Sequence, residues 1–578
     1  MTFASSPERP WLTRDWDQQP CQALAEAVGV PLAIAVLLRG RGIDSPEQAE
    51  AFLHPSLQDL PPPELMKGMA EAVDLVLDGL AQRQRIIVVG DYDADGITGA
   101  AVLCLFLREL GADVAWELPH RFHDGYGLRP TVLARLHERH GPGLLITVDC
   151  GISDYDEVAQ ARALGYRVII TDHHQPPTRL PPADAILNPS QPGCPYPYKE
   201  LAGVGVVFYL TMGIRSRLRR DGFWQEPGEI PNLKALMDLV AIGTVADLVP
   251  LRGPNRIFVR AGLETFATRP RTGLTALATT AGLAGPAAVE DITFRLAPRL
   301  NAVGRIGDAG KALEILTATD PCQAASLAAS IEADNQERRL IQEQVAGAAV
   351  ALARQELARQ PSLLLLHDAA WHPGVLGVVA TRLVEIFGRP CILMSGSGPF
   401  LKGSGRSVPG LNLHELLHDC RELLAAYGGH AMAAGLSLRL EDLAAFRARI
   451  DRLAAERLLD LPPADGLWID WQAGLAELGR PEFLESYARL GPFGRGNPEP
   501  VFATAQGVRL TEATPVKSHL RFAVQEDGRR WTGIGFGMAG YAPRLQGEAA
   551  QLAFHLRRNS FRGIQRWEMQ LSAVRFLG

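Results

Sequence analysis

The sequence predicts an α/β protein built from a parallel-sheet domain, a smaller second α/β domain joined to it by a long helix, and a C-terminal β-barrel. Three observations support this prediction. Short β-branched runs alternate with amphipathic stretches between residues 85 and 250, residues 320–360 contain almost no glycine or proline, and alternating strand patterns follow residue 500. A length of 578 residues is ample for three or four domains.

The first sixty residues have a helix-rich pattern that ends in a proline-studded loop, and we interpret them as an N-terminal segment. Three apolar, β-branched runs then follow at 85–90, 144–148 and 168–170, each ended by polar residues. Such runs are typical of the buried strands of a parallel sheet. Ligands bind beyond the carboxyl ends of these strands, so the residues after each run are candidates for a site.

Residues 320–360 are rich in good helix formers and are predicted to form one connecting helix. A second α/β block follows, with strands at 363–366 and 390–394 and glycine loops at 403–410 and 428–435. Turn signals such as Asp527-Gly528 separate five strands typical of an OB-type barrel, at 501–510, 519–525, 530–536, 551–557 and 567–575. The predicted domain boundaries are 1–60, 61–318, 319–360, 361–462 and 463–578.

The composition, 47% apolar and 21% charged, is that of an ordinary folded protein. The sequence shows no apolar run of membrane-spanning length and no signal-peptide pattern, and its seven scattered cysteines indicate reduced thiols, so we expect a cytoplasmic protein without a membrane partner. The net charge of −6 argues against a surface coated in positive charge for gripping duplex DNA. Residues 491–578 nevertheless carry +6, which leaves −12 for the first 490.

The strongest local signal is the run of Asp91, Asp93 and Asp95 directly after the first predicted strand. Three carboxylates at alternate positions cannot easily share a dry strand end unless cations neutralise them, although caps of the following helix are an alternative. A calcium EF-hand is excluded because its twelfth position, which requires a bidentate glutamate, is Val102. A dinucleotide site is also excluded, because Gly203-x-Gly205 lacks a third glycine at Phe208.

Two further strand ends carry metal-type ligands, with Asp149 after the second run and Asp172-His173-His174 after the third. A fourth aspartate motif follows another apolar run, at Asp247. Carboxylates and imidazoles without thiolates favour Mn²⁺ or Mg²⁺, and we expect two divalent ions. Such a pair activates water and stabilises the oxygens of an in-line phosphoryl displacement.

These four motifs resemble the signature motifs of the DHH phosphoesterases, a family named for the run at Asp172. The resemblance implies that Asp149 bridges the metals and that His174 faces the scissile phosphate, with His174, Asp149 and Asp95 as catalytic residues. The implied metal ligands are Asp91, Asp93, Asp95, Asp149, His173 and Asp247.

Other motifs narrow the resemblance to the bacterial 5′ exonucleases of this family, which are specific for single-stranded DNA and carry a companion DHHA1 domain. They lie at 119–121, 125–128, 297–305, 403–407, 428–430 and 490–498. Arginine forks and a glycine-serine loop suit a phosphate clamp. The implied DNA- and phosphate-binding residues are Arg121, Arg299, Asn301, Arg305, Ser404, Arg406 and His430.

The resemblance further implies 5′→3′ release of nucleoside 5′-monophosphates from single-stranded DNA by a monomer, in recombination and repair. Its implied partners are a single-strand DNA-binding protein and a RecQ-type helicase. Six aromatic residues of the C-terminal barrel could stack bases, but alternating aromatics are more often core, and we favour that interpretation for each. They are Phe522, Trp531, Phe536, Phe554, Phe561 and Trp567.

Three alternatives remain open. A DHH phosphodiesterase for short oligoribonucleotides, cyclic dinucleotides or pAp is shorter and lacks a basic C-terminal barrel. An inorganic pyrophosphatase requires a histidine four residues before Asp93, where this chain has Val89. A non-catalytic DHH scaffold of a replication assembly keeps the fold but loses ligands, whereas every ligand position here is filled.

Overall fold

Alternating apolar runs produce a fold rich in short strands and amphipathic helices. The computed structural model describes residues 10–577 except 122, 284, 460–465, 527, 562 and 563. The strands of these residues are β1 (Trp11–Thr13), β2 (Ile86–Gly90), β3 (Val114–Glu117), β4 (Leu144–Val148), β5 (Arg167–Thr171), β6 (Ala185–Leu187), β7 (Leu364–Asp368), β8 (Cys391–Ser395), β9 (Phe400–Arg406), β10 (Ala426–Gly429), β11 (Ala433–Arg439), β12 (Leu467–Ile469), β13 (Trp471–Ala473), β14 (Phe502–Thr504), β15 (Leu510–Val516), β16 (His519–Glu526), β17 (Arg529–Gly535), β18 (Ala550–Phe561) and β19 (Ile564–Phe576).

Helices connect and cover these strands. In chain order they are α1 (Gln18–Val28), α2 (Leu32–Arg39), α3 (Pro46–Leu53), α4 (Met69–Ala81), α5 (Ala94–Glu109), α6 (Pro130–His140), α7 (Tyr155–Ala163), α8 (Gly203–Arg220), α9 (Met237–Ala246), α10 (Gly253–Thr268), α11 (Thr272–Thr280), α12 (Val289–Asp291), α13 (Ala297–Ile306), α14 (Gly310–Thr317), α15 (Pro321–Glu356), α16 (Leu376–Phe387), α17 (Leu413–His418), α18 (Leu443–Leu459), α19 (Leu475–Leu478), α20 (Pro481–Leu490) and α21 (Ala542–Gly547).

The chain divides into two compact units. Described residues within 1–304, 308–329 and 465–578 form the first unit, and those within 305–307 and 330–464 form the second. The predicted long helix is confirmed as the 36-residue helix α15, whose residues fall in both units.

A five-stranded parallel sheet, in the order β3-β2-β4-β5-β6, forms the centre of the first unit. All residues of β2 and β4 are buried, as their continuous apolar runs predict for strands covered on both faces. The strand pairing aligns Gly90 at the end of β2 with Val148 at the end of β4, and Val148 with Thr171 at the end of β5. The residues that follow β2, β4 and β5 therefore emerge side by side at one sheet edge.

The second unit contains a mixed sheet in the order β10-β11-β9-β8-β7, in which β7 and β8 are parallel. The predicted glycine loops, 403–410 and 428–435, are wrong at their ends, because Gly403 and Gly405 lie inside β9 and Gly435 lies inside β11. A strand tolerates glycine where a neighbour approaches closely. A Cβ atom on Gly403 would lie 2.2 Å from Met394 Sδ, and one on Gly405 would lie 2.7 Å from Leu413 Cδ2.

A seven-stranded, mainly antiparallel sheet occupies the C-terminal part of the first unit, in the order β13-β14-β18-β19-β17-β16-β15. The predicted strand at 501–510 is two strands, β14 and β15, and β18 and β19 are longer than expected. Phe522, Trp531 and Phe554 are buried in the core, as favoured, whereas Phe536 is 44% exposed. The predicted turn residue Asp527 and the side chain of Phe561 lie outside the described residues.

The N-terminal helices share one hydrophobic core with this C-terminal sheet. Leu24 of α1, Leu37 of α2 and Leu53 of α3 are buried in the cluster that contains Phe502 and Phe554. Strand β1 also pairs in parallel with β12. Among the described residues, no single helix is long and apolar enough to cross a membrane; α1 and α2 pass that test only as a pair bent by 112°.

Candidate metal centre

The sheet register brings the predicted ligand motifs together. Asp91 and Asp149 directly follow β2 and β4, and both are buried. Their backbone N–H groups continue the ladder, since Asp91 donates to the Val148 carbonyl at 3.1 Å and Asp149 donates to the Thr171 carbonyl at 2.9 Å. Asp149 has a positive φ of 60°, a backbone conformation that aspartate adopts more readily than most residues other than glycine.

The aspartate run after β2 both caps a helix and presents carboxylates. Asp93 is the N-cap of α5, and its Oδ1 accepts the N–H groups of Asp95 and Gly96 at 3.0 and 3.1 Å. A Cβ atom on Gly96 would lie 2.6 Å from the backbone nitrogen of Asp91, so only glycine allows this tight turn. The capping alternative therefore explains Asp93 in part, while Asp91 and Asp95 remain available to cations.

The N-terminus of α8 closes the pocket behind Asp95. The N–H groups of Gly203 and Val204 donate to the two oxygens of Asp95 at 2.6 and 2.9 Å. A Cβ atom on Gly203 would lie 2.6 Å from Asp149 Oδ1, which explains why glycine occupies this position. In the sequence, Gly203 stands out only as part of an incomplete dinucleotide motif, and that pattern does not indicate this role.

All six predicted metal ligands converge. His173 Nε2 lies 3.1 Å from Asp149 Oδ1, 3.6 Å from Asp247 Oδ2 and 3.9 Å from Asp95 Oδ2. Three overlapping sets have ligand atoms within 4.8 Å of one another, namely Asp91, Asp93 and Asp149; Asp95, His173 and Asp247; and Asp149, His173 and His174. Asp149 and His173 each belong to two of these sets.

Buried polar atoms that make no hydrogen bond are consistent with a pocket for divalent cations. Within the described part of the chain, Asp91 Oδ1, Asp149 Oδ1 and His173 Nε2 are buried and make no hydrogen bond. Each such atom costs about 1–3 kcal/mol if it stays unsatisfied. Oxygen and imidazole ligands without a thiolate suit Mn²⁺ or Mg²⁺.

The pKa values of these carboxyl groups lead to the same conclusion. Burial raises the pKa of Asp91 and Asp149 well above the ordinary value, with neighbouring carboxylates adding to it. Burial, followed by the charge of Asp247, raises the pKa of Asp95 to about 7. Several carboxylates share one desolvated space, and bound cations would allow all of them to ionise.

Asp172 and Tyr126 hold His174 in place. Asp172 Oδ1 accepts hydrogen bonds from the backbone N–H groups of His173 and His174 at 2.7 and 3.0 Å and lies 2.8 Å from His174 Nδ1. The Tyr126 hydroxyl lies 3.2 Å from the same Nδ1 and donates to the Asp149 carbonyl at 3.2 Å. Asp172 belongs to the Asp172-His173-His174 run and Tyr126 to the motif at 125–128, but the sequence does not indicate that both contact the imidazole of His174.

Asp172 also sets the charge of this imidazole. Burial alone would lower the pKa of His174, but the hydrogen bond and charge of Asp172 raise it to about 9. His174 is therefore poised to carry a positive charge beside the cluster, as a group that faces a phosphate would.

The predicted phosphate-binding residues lie in both units. In the first unit, the Arg121 guanidinium lies 4.9 Å from the ring centroid of Tyr92, buried Arg299 donates to the Arg295 carbonyl, and Asn301 Oδ1 accepts the N–H of Ala94 at 2.8 Å. In the second unit, Arg305 donates to the Gly374 carbonyl, Arg406 donates to Ser404 Oγ at 3.3 Å, and His430 is exposed after β10.

Comparisons with known proteins agree with this arrangement. Residues 85–244 match the DHH family N-terminal domain, residues 359–456 match the DHHA1 domain, and residues 469–573 match the RecJ OB domain. The chain is 40% identical over 554 residues to the single-stranded-DNA-specific exonuclease RecJ of Dickeya dadantii, covering 92% of this chain and 94% of that protein. It is 38% identical to RecJ of Bacillus subtilis over 91% of this chain but spans only 65% of that protein's length.

Solved structures of RecJ from Thermus thermophilus are also similar. Its Mn²⁺ complex superposes with a TM-score of 0.79 at 31% identity, covering 98% of this chain and 79% of that one. Its Mg²⁺ complex gives a TM-score of 0.73 at 30% identity, covering 98% and 78%.

The parallel sheet and its edge of carboxylates and imidazoles define a metal-dependent hydrolase of the DHH class. The DHHA1 and OB domains narrow this class further. The chain belongs to the RecJ family.

Proposed function

We propose that this protein is an exonuclease that degrades single-stranded DNA from its 5′ end and releases nucleoside 5′-monophosphates, with Mn²⁺ or Mg²⁺ as cofactor. The observation that carries the proposal is the pocket of buried ligand atoms at Asp91, Asp149 and His173 that make no hydrogen bond. The D. dadantii and B. subtilis relatives, named as single-stranded-DNA-specific exonucleases, supply the substrate class.

The proposed metal ligands fall into two sets. Asp91, Asp93 and Asp149 would hold one ion, and Asp95, His173 and Asp247 would hold the other. Asp149 of the first set lies 3.1 Å from His173 of the second. When bound, the ions supply Lewis-acid activation of water and charge stabilisation at the phosphate. Asp95 is held by the first N–H groups of α8, and His174 is oriented by Asp172, so both groups are fixed before substrate arrives.

We assign phosphate recognition in the second unit to Ser404, Arg406, Arg305 and His430. A Cβ atom on Gly377 would lie 2.8 Å from Arg406 Nη2 and 3.0 Å from Ser404 Oγ, so both side chains lie against the first turn of α16. The N–H groups of a first helical turn have no partners within the helix, and together with an arginine fork they favour an anion.

Arg121, Arg299 and Asn301 complete the proposed set in the first unit. Asn301 contacts the aspartate run through Ala94, and the positive charge of Arg121 is among the causes that lower the pKa of Asp91. Both therefore lie close enough to the carboxylates to influence a phosphate bound there.

The proposed division of labour follows the predicted boundaries. Residues 61–318 carry the metals, 319–360 connect, 361–462 bind phosphate, and 463–578 bind the nucleic-acid strand, after the segment 1–60. A groove of about 990 Å³ on the C-terminal sheet supports the last assignment, because Arg521, Arg530, Arg566 and Phe536 are among its lining residues. Arginine and exposed aromatic side chains are suited to a single strand.

An enzyme that accepts only single-stranded DNA requires other proteins to unwind duplex DNA and to hold the separated strands. We therefore propose that the protein acts as a monomer in the cytoplasm, in recombination and repair, beside a single-strand DNA-binding protein and a RecQ-type helicase. Binding of purified candidates to this chain tests each partnership.

The decisive experiment measures mononucleotide release from 5′-phosphorylated single-stranded DNA with Mn²⁺ or Mg²⁺, beside 3′-labelled, duplex and short-RNA substrates. Asp149→Asn keeps a residue that tolerates a positive φ and removes only the charge. Its matched control is Asp113→Asn, which removes a carboxylate bound to Arg85 before β3.

We expect single strands to shorten from the 5′ end, with Asp113→Asn active and Asp149→Asn inactive. Hydrolysis confined to dinucleotides, pAp or short RNA would overturn the substrate and keep the metal site. No hydrolysis of any substrate would favour the scaffold alternative.

A further inference from the structure

The turn at residues 494–497 lies against the segment that follows the metal ligand Asp247. The turn is closed by two backbone hydrogen bonds between Gly494 and Asn497, at 2.9 and 3.1 Å. The Asn497 side chain is buried and donates to the carbonyls of Leu490 and Pro492, both at 2.9 Å. These hydrogen bonds hold the backbone of the turn in one conformation.

Four contacts fix this turn to residues 248–252. The N–H of Leu251 donates to the Arg495 carbonyl at 2.7 Å, and Arg252 Nε donates to the Gly496 carbonyl at 2.7 Å. A Cβ atom on Gly494 would lie 2.7 Å from Leu251 Cδ1, and one on Gly496 would lie 2.8 Å from Pro250 Cβ. Both glycines are thus required for the close approach.

A third hydrogen bond reaches the residue next to the metal ligand. Arg495 Nη1 donates to the Leu248 carbonyl at 3.0 Å. Leu248 has a positive φ of 59° and is 55% exposed, so neither its own conformational preference nor burial holds it there. The hydrogen bond from Arg495 stabilises this unfavourable backbone directly after Asp247.

We propose that Arg495 is a positioning residue for Asp247 and thereby for the ion held by Asp95, His173 and Asp247. The inference rests on the proposed function, because it assumes that this set binds a cation. Its consequence is selective: the other ion, held by Asp91, Asp93 and Asp149, does not depend on Arg495. The C-terminal part of the first unit would then complete one of the two metal sites in addition to binding DNA.

The test is a Mn²⁺ titration of the full-length protein by calorimetry, without DNA, for wild type, Arg495→Ala, Arg495→Lys and Arg252→Ala. Arg252→Ala is the matched control, because it removes a bond to the same turn without touching Leu248. We expect Arg495→Ala to weaken the binding of one of the two Mn²⁺ ions by about 10- to 100-fold, the usual effect of losing a residue that orients a ligand. Arg495→Lys should recover most of that affinity.

Exonuclease kinetics then separate positioning from DNA contact. A positioning role raises the Mn²⁺ concentration required for half-maximal rate and leaves KM for DNA unchanged. Unchanged Mn²⁺ binding by a folded Arg495→Ala variant, or a loss equal to that of Arg252→Ala, would overturn the inference alone. Wild-type protein that binds no Mn²⁺ would overturn the proposed function as well.

Discussion

Gly203→Ala perturbs the site without replacing any of the proposed metal ligands. The added Cβ would lie 2.6, 2.7 and 2.8 Å from the Oδ1, Cβ and Cγ atoms of Asp149. Ordinary contact begins near 3.4 Å, so Asp149 or the start of α8 must move by about 0.8 Å. The same movement strains the 2.6 Å hydrogen bond from Gly203 to Asp95.

A displacement of this size near reacting groups costs about 100-fold in rate, and overpacking costs about 1–3 kcal/mol of stability. We therefore expect Gly203→Ala to remain folded but to bind Mn²⁺ weakly and to release mononucleotides about 100-fold more slowly. Gly205→Ala is the control, because its Cβ meets Phe258 no closer than 3.3 Å. Calorimetry and mononucleotide release measure both effects. Wild-type metal affinity and rate in Gly203→Ala would show that the N-terminus of α8 does not close the metal pocket.

Three further predictions concern the supporting residues. Asp172→Asn should lower the pKa of His174 from about 9, because burial then dominates; an unchanged value in an NMR titration of the metal-free protein would contradict this. Arg256→Lys should lower the free energy of unfolding by about 3 kcal/mol, because the buried guanidinium donates to five backbone carbonyls. Thermal melts test this, with Arg260→Lys as the control, because Arg260 is only half-buried and pairs with the exposed Glu264. Burial raises the pKa of Glu499 to about 7, so stability should fall as pH rises from about 4.5 to 7, and Glu499→Gln should make that decline smaller in pH-dependent melts, leaving the part that comes from Asp95.

Much of the metal site could be predicted because its signals are local. The runs before Asp91 and Asp149 are continuous, apolar and β-branched, and parallel strands align their carboxyl ends. The apolar run before Asp247 belongs to helix α9, and a short apolar run cannot distinguish a buried strand from a buried helix. Asp247 nevertheless lies in the metal pocket.

The supporting contacts escaped prediction because they join distant parts of the chain. Gly203 meets Asp149 through space, and nothing near it in sequence indicates that a carboxylate lies against it. Gly403 and Gly405 appeared to mark a loop, but close neighbours make glycine the residue that fits inside β9. Local patterns report secondary structure, whereas these glycines report tertiary packing.

The shared core of the N-terminal helices and the C-terminal sheet has a consequence for synthesis. Arg41 bonds to Asn497, 456 residues later, and residues 33–38 of α2 are all buried in the finished protein. At about 5–20 residues per second, a ribosome needs roughly 20 to 90 s to supply the partner of α2 after α2 itself emerges. The parallel sheet can form during that interval, but the apolar face of α2 must wait. We expect the nascent chain to depend on chaperones at this helix.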